Sequence, residues 1–252
     1  MKNCIILGSG RSGTSMVAGT LAKSGYFMGD NLYPPRESNP KGFFEDPFIN
    51  GINEEIIANV RLGNFNKIRK LIKGNHLRES QRWLEALPLN AHLLSSINIE
   101  NKIIIAVNQS PFCFKDPRFS YTLPIWRPFL NNIVFICIFR DPGVTAQSIV
   151  KECAQMDYLK SVNMSFELGL DIWFNTYNHI LQLHRCKGEW LFIHYDQVMT
   201  VEGIARIQAH TEAYVDFDFP DISLKRTISE KAIGTKYQDM YRHLNKLAGF
   251  YS

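Results

Sequence analysis

The sequence predicts an α/β protein with a central parallel sheet covered by helices on both faces, and three observations carry that expectation. Short β-branched apolar runs recur along the chain, at 3–8, 102–107, 133–139 and 190–195, with a further short run "FCFK" at 112–115. Stretches of helical periodicity separate them, the alternation that builds parallel sheets. The first run passes straight into a glycine-rich turn, "GSGRSGTS" at 8–15, and then into a helical pattern. Runs that are apolar throughout, rather than alternating, suit strands buried on both faces.

Taken in order, the strand at 3–8 feeds a helix expected over 14–24, with Gly25 as its stop. The segment "FNKIRKLIKGNHLRESQRWLEAL" at 65–87 is expected to be helical, part of a helical insertion expected at 48–100. A helix over about 165–185 follows from Phe166, Leu170, Trp173, Tyr177 and Leu181, which recur along one face. Trp173 is accordingly read as a core aromatic. No repeat, low-complexity tract or charge block divides the 252 residues, so a single domain spanning 1–252 is expected.

Composition narrows the function classes. A formal charge of +4, spread along the chain, suits an anionic small ligand and gives no footprint for nucleic acid. The five cysteines (4, 113, 137, 153 and 186) contain no C-x-x-C pair, and His179 and His184 lack acidic or cysteine company, so no structural metal site is expected. The longest apolar run, "IVFICIF", is too short to span a bilayer, and the first is too short for a signal peptide. No transmembrane segment is expected, and the reading is a cytoplasmic protein.

The loop "GSGRSGTS" nearly matches the phosphate-cradling pattern G-x-x-x-x-G-K-[ST], with Gly8, Gly13 and Ser15 in register but Thr14 where the lysine belongs. Glycines permit the tight geometry, while successive N–H groups and the helix N-terminus present positive dipoles to an anion. In an ATPase or GTPase the missing lysine would reach the outer phosphates. Arg11 keeps a cation in the loop at a different place, which suits a donor with one 5′-phosphate and a transferable group.

Three charged–Asp–Pro junctions follow: "FFEDP", "FKDP" and "FRDP", ending at Pro47, Pro117 and Pro142. Aspartate before proline is a strong helix N-cap. Asp46, Asp116 and Asp141 are therefore read as caps, leaving Glu45, Lys115 and Arg140 at element ends that can face a cleft. Ser148 lies eight residues after Arg140, about two turns into the next helix, so a guanidinium and a hydroxyl can converge on a second phosphate.

These residues resemble the sulfotransferases that use 3′-phosphoadenosine 5′-phosphosulfate (PAPS). "GSGRSGTS" is similar to the family's 5′-phosphosulfate loop and "FRDPGVTAQS" to its 3′-phosphate motif. "NPKGFFEDP" and "FKDPRFSYTLPIW" resemble segments of bacterial members, and "HYDQVM" at 194–199 resembles a late segment after a core strand. The resemblance spans 5–199 in family order and is vague over the last fifty residues. It implies a P-loop-like three-layer αβα fold and transfer of a sulfonate from PAPS to a hydroxyl or amine, without metal, leaving adenosine 3′,5′-bisphosphate.

Carried over by motif, Arg11, Ser12, Gly13, Thr14 and Ser15 would hold the 5′-phosphosulfate. Arg140 and Ser148 would hold the 3′-phosphate, and Tyr195 would line the adenine pocket. Arg11 and Lys115 would stabilise charge at the reacting group. Where many members carry a Lys-Thr-His segment, this chain has Asp116 and Pro117, so an acidic base is implied. Glu45 is preferred, with a pKa expected to rise in a partly dry cleft, and Asp116 is second. The acceptor, a small molecule, glycan, lipid or peptide, has no signature. Arg61, Arg69, Arg78 and Arg82 read as solvated bases, and Lys225 and Arg226 could close over the nucleotide. Two alternatives remain: a small-molecule or nucleoside kinase with a degenerate loop, and a non-catalytic nucleotide-binding protein of the same fold.

Overall fold

A computed structural model describes residues 1–61, 77–224 and 227–251. Arg69, Lys225, Arg226 and most of the expected helical stretch 65–87 lie outside the described residues. Four parallel strands form the sheet in the order β2 (Cys113–Lys115), β1 (Asn3–Leu7), β3 (Ile133–Phe139), β4 (Glu189–His194). The short run at 112–115 is thus a full edge strand, paired Cys4 to Cys113 and Ile6 to Lys115.

One expected strand is a helix. Residues 102–107 form the end of α3 (Ile97–Val107), which follows α1 (Thr14–Leu21) and α2 (Pro47–Ala58). The Ser96 side chain caps it by accepting from the Ile99 N–H. Ile99, Ile103 and Ala106, spaced four and three apart, are buried, whereas Ile104 and Ile105 face solvent. Three consecutive isoleucines hid that helical period behind a strand-like run. Within 77–87 the regular structure is a short 3-10 turn at Arg82–Leu84, where a helix was expected.

The remaining helices are α4 (Phe119–Trp126), α5 (Pro142–Gln155), α6 (Phe166–His179), α7 (Val201–Thr211) and α8 (Thr235–Ala248). The sheet alternates strictly. Ile5, Leu7, Phe114, Phe135, Cys137 and Phe139 point towards α2, α3, α4, α6 and α8. Cys4, Ile6, Cys113, Val134, Ile136 and Ile138 point towards α1 and α7. Burial of each such side chain contributes about 1.5–3 kcal/mol, so the two faces together fix the strand register. α5 packs on α6, where Gly169 lets the backbone approach Ala146. Trp173 is fully buried against Tyr177, as the core reading expects. No described helix is long and apolar enough to cross a bilayer.

Because all four strands are parallel, Leu7, Lys115, Phe139 and His194 end at one edge. Two of the Asp-Pro caps are formed: Asp46 accepts from the N–H groups of Phe48 and Ile49 to start α2, and Asp141 accepts from Val144 to start α5. Asp116 accepts from the Arg118 N–H in the turn before α4. At the start of the loop, Gly8 has φ +142° and a Cβ there would lie 2.2 Å from the Ile138 carbonyl oxygen. Gly8→Ala should therefore cost about 3 kcal/mol from strain and collision together. Urea unfolding with an unchanged m value measures this, and a loss below about 1 kcal/mol would show that β1 and β3 tolerate separation there.

Candidate functional site

The loop after β1 is shaped by conformations that side chains resist. Gly13 has φ +99°, and a Cβ on it would meet the Tyr195 ring at 2.6 Å. Gly10 lies under Trp83, whose ring carbons would be 2.6 Å from a Cβ. Arg11 itself is left-handed, with φ 68°. The Ser12 N–H bonds the Ser9 carbonyl, while those of Gly10, Arg11, Gly13, Thr14 and Ser15 take no acceptor among the described residues. They open at the N-terminus of α1, where the helix dipole adds positive potential. The Ser12 hydroxyl is fully buried and makes no hydrogen bond among the described residues.

Arg11 turns towards α5. Its Nε donates to Ser148 Oγ at 3.2 Å, its Nη2 donates to the Ser38 carbonyl at 3.2 Å, and its Nη1 lies 3.5 Å from Glu152 Oε2. The loop and the second motif therefore meet directly. Arg140, immediately after β3, lies with its guanidinium carbon 4.3 Å from the Tyr195 ring centroid. Its Nη2 donates to the Thr227 carbonyl at 3.3 Å, next to the position of Lys225 and Arg226 in the chain. Trp173 Nε1 donates to the Arg140 carbonyl at 3.1 Å, fixing the backbone at that strand end. Burial lowers the Arg140 pKa; Tyr195 and Asp196 oppose that shift, and the positive charge of Arg11 adds to it. Two cations close enough to repel one another mark a place that an anion would stabilise.

The third cation comes from the sheet edge. Lys115, the last residue of β2, donates to Ser15 Oγ at 3.3 Å and pairs closely with Glu45 Oε1. Glu45 Oε2 accepts from Asn50 Nδ2 at 2.8 Å. Burial alone would raise the Glu45 pKa, but Lys115, Arg118 and Asn50 outweigh it, so the carboxyl sits below the usual glutamate range. This corrects the expectation of a raised value: a carboxylate is a stronger acid when its nearest neighbour is an ammonium group. Asp116 goes the other way, raised by burial despite Arg118, with Glu45 adding to the rise. It is fully buried and already accepts from Asn53 Nδ2, the Arg118 backbone and the Arg118 guanidinium.

Behind them lies a charge network that the sequence did not announce. Arg118 pairs with both Asp116 and Glu54, and Glu54 also pairs with Arg82 at 2.8 Å. Arg82 is thus an ion-pair partner and not a merely solvated base. Asn53 Oδ1 accepts from Thr122 Oγ1 and Trp126 Nε1, tying α2 to α4. Glu152 had one legible signal, its place one turn beyond Ser148. Ser38 had none. A cavity of about 450 Å³ on the outer side of α2, lined in part by Phe48, Glu54, Arg82 and Lys102, contains none of the loop residues.

The geometry defines an α/β fold whose strand–loop–helix turn opens N–H groups, unpaired among the described residues, beside a second cation-bearing strand end. No family model matches the chain, and no curated protein matches it in sequence. Solved structures match it in fold. The sulfotransferase domain from the Synechococcus PCC 7002 olefin synthase aligns with a TM-score of 0.55 at 16% identity, covering 96% of this chain and 95% of that one. The sulfotransferase domain from the curacin biosynthetic pathway aligns with a TM-score of 0.52 at 15% identity, covering 97% of each chain. The chain has the sulfotransferase-domain fold.

The Glu45–Lys115 pair gives a direct test. The folded-state pKa of Glu45 is depressed below its ordinary 4.5, so the pair's stabilisation is present above that pH and is lost as pH falls through the depressed value. Lys115→Ala should cost about 3 kcal/mol at neutral pH by leaving a buried carboxylate without its cation, and Glu45→Gln in the same chain should recover part of it. In Lys115→Ala the Glu45 carboxyl should titrate higher than in wild type by NMR, and an unchanged value would mean that Lys115 is not what holds it down.

Proposed function

We propose that this protein is a sulfotransferase that moves a sulfonate group from PAPS to a hydroxyl or amine of an acceptor. The observation that carries the reading is the Arg11 Nε to Ser148 Oγ hydrogen bond at 3.2 Å, which joins the loop to α5 and supports a single site made from both. The residues present fit a doubly phosphorylated adenosine compound. The orphaned Ser12 hydroxyl and the open N–H groups of the loop both suit a phosphate at the start of α1.

In this reading Arg11, Ser12, Gly13, Thr14 and Ser15 hold the 5′ end, and Arg140 with Ser148 holds the 3′-phosphate. Tyr195, packed between Gly13 and Arg140, borders the nucleotide side. The donor supplies an activated sulfonate whose transfer leaves negative charge on a phosphate oxygen. Arg11 and Lys115 would stabilise that charge, an interaction that favours a transition state over a ground state because it strengthens as the charge develops. Glu45 Oε1 takes the acceptor's proton. Its basicity is tied to Lys115: ammonium charge drawn towards the loop is charge withdrawn from Glu45, and burial then raises its affinity for a proton.

The contact between Lys115 and Ser15 separates this reading from a kinase. In a P-loop kinase the serine at this position holds Mg²⁺. Here an ammonium group stands 3.3 Å from its oxygen and repels a cation there. The proposal extends to a hydroxylated small molecule, glycan, lipid or peptide as acceptor and to a cytoplasmic location.

Calorimetric titration tests the donor site. Adenosine 3′,5′-bisphosphate should bind without metal and more tightly than ATP with Mg²⁺, and Arg140→Ala should weaken it about a hundredfold, the loss expected for a charged phosphate contact. Equal binding of ATP with Mg²⁺ would instead favour the kinase. Acceptor screening with sulfur-labelled PAPS should then show turnover that Glu45→Gln and Lys115→Ala each reduce by about a hundredfold or more. Unchanged turnover in both would remove them from the catalytic machinery.

A further inference from the structure

Glu152 has no part in the reaction proposed above, yet it is 5% exposed and its carboxylate lies beside Arg11. A buried carboxylate beside a phosphate site opposes the ligand's own charge, so its presence there needs another cause. The geometry supplies one. Glu152 stands one helical turn beyond Ser148 on α5, and Arg11 reaches both. Its second oxygen, Oε1, accepts from Ser38 Oγ at 3.0 Å, and the Ser38 carbonyl accepts from Arg11 Nη2 at 3.2 Å. Arg11, Glu152 and Ser38 therefore close a ring of polar contacts around one guanidinium.

A guanidinium carries five N–H donors in a rigid plane. One goes to Ser148, one goes to Ser38, and Nη1 faces Glu152. Contacts on three sides fix the plane and leave N–H groups for an incoming anion. Ser38 lies in the tight turn closed by the Arg36–Asn39 bridge, and from there the chain runs to Glu45. Lys41, between them, donates to the Phe219 carbonyl at 2.6 Å and holds the segment's other side. The segment carrying Glu45 is thus secured at Arg11, inside the anion site.

Resting on the donor-site reading above, we infer that Glu152 is a positioning residue that orients Arg11 and, through Ser38, ties residues 36–45 to the donor loop, so that donor binding orders the segment bearing Glu45. The coupling is reciprocal: whatever orders that segment tightens donor binding by the same factor. Glu152 touches neither the donor nor the acceptor in this arrangement. It acts through Arg11.

The test measures hydrogen exchange of 36–45 with and without adenosine 3′,5′-bisphosphate, beside its Kd and the melting temperature, in wild type, Glu152→Gln and Glu152→Ala. In wild type the bisphosphate should slow exchange in 36–45 by about tenfold. In Glu152→Ala exchange in the free protein should be about tenfold faster and no longer respond to the bisphosphate, and its Kd should rise by up to about tenfold, the same coupling seen from the donor side. Glu152→Gln keeps an oxygen for Ser38 and should keep the free-protein protection while losing most of the response. A full response in Glu152→Ala would overturn the inference, as would affinity and melting temperature falling together with no change confined to 36–45. Failure of the bisphosphate to bind wild type would overturn the donor reading and the coupling together. Tight binding that leaves exchange in 36–45 unchanged would overturn the coupling alone.

Discussion

The arginine of the loop is the piece on which the rest of the site depends. Its guanidinium is shared between the helix that follows β3 and a turn that leads to the acidic residue Glu45. Without that tie, the loop, α5 and segment 36–45 would be neighbours by fold only. With it, three stretches far apart in sequence hold their charges in one small volume. The left-handed backbone at Arg11 costs free energy, because a side chain strains against the carbonyl there. The structure keeps the strain, and the side chain is thereby aimed across the loop towards Ser148.

Around this tie the charges are arranged in opposition. Arg11 and Arg140 repel each other through a partly buried space, and Lys115 is held between Ser15 and Glu45. Deeper in, Asp116, Arg118, Glu54 and Arg82 neutralise one another. The inner network is closed and structural; the outer set retains positive charge facing the loop. A buried ion-pair chain adds little net stability compared with apolar packing, but it fixes where Lys115 and Glu45 emerge.

Much of this could be read from the chain. The strand–loop–helix start was legible because glycine spacing is local and its physics is local. The place of Ser148, about two turns into α5, was legible because Asp141 and Pro142 announce where that helix starts. The Asp-Pro junctions announced where elements turn, and two of the three cap helices as a local rule predicts. What was not legible depended on distant neighbours. The pKa of Glu45 moves opposite to expectation because Lys115 arrives from β2, seventy residues away in the chain. Ser38 entered the site through its main-chain carbonyl, which every residue possesses, and through a hydroxyl whose partner Glu152 lies 114 residues away. The segment at 102–107 failed for a different reason: three isoleucines in a row satisfy two periods at once, and the serine cap that decides for a helix lies just before the helix starts.

Trp83 lying on Gly10 has a bearing on how such chains can diverge. The indole occupies the volume that any larger residue at position 10 would need, so neither position is free to drift while the other stays. A bulkier residue in the loop becomes tolerable only where the facing ring has already shrunk. Relatives of this chain should therefore change these two sites as a pair, and an unexpected small residue opposite the loop would be the mark of a lineage whose turn has been rebuilt.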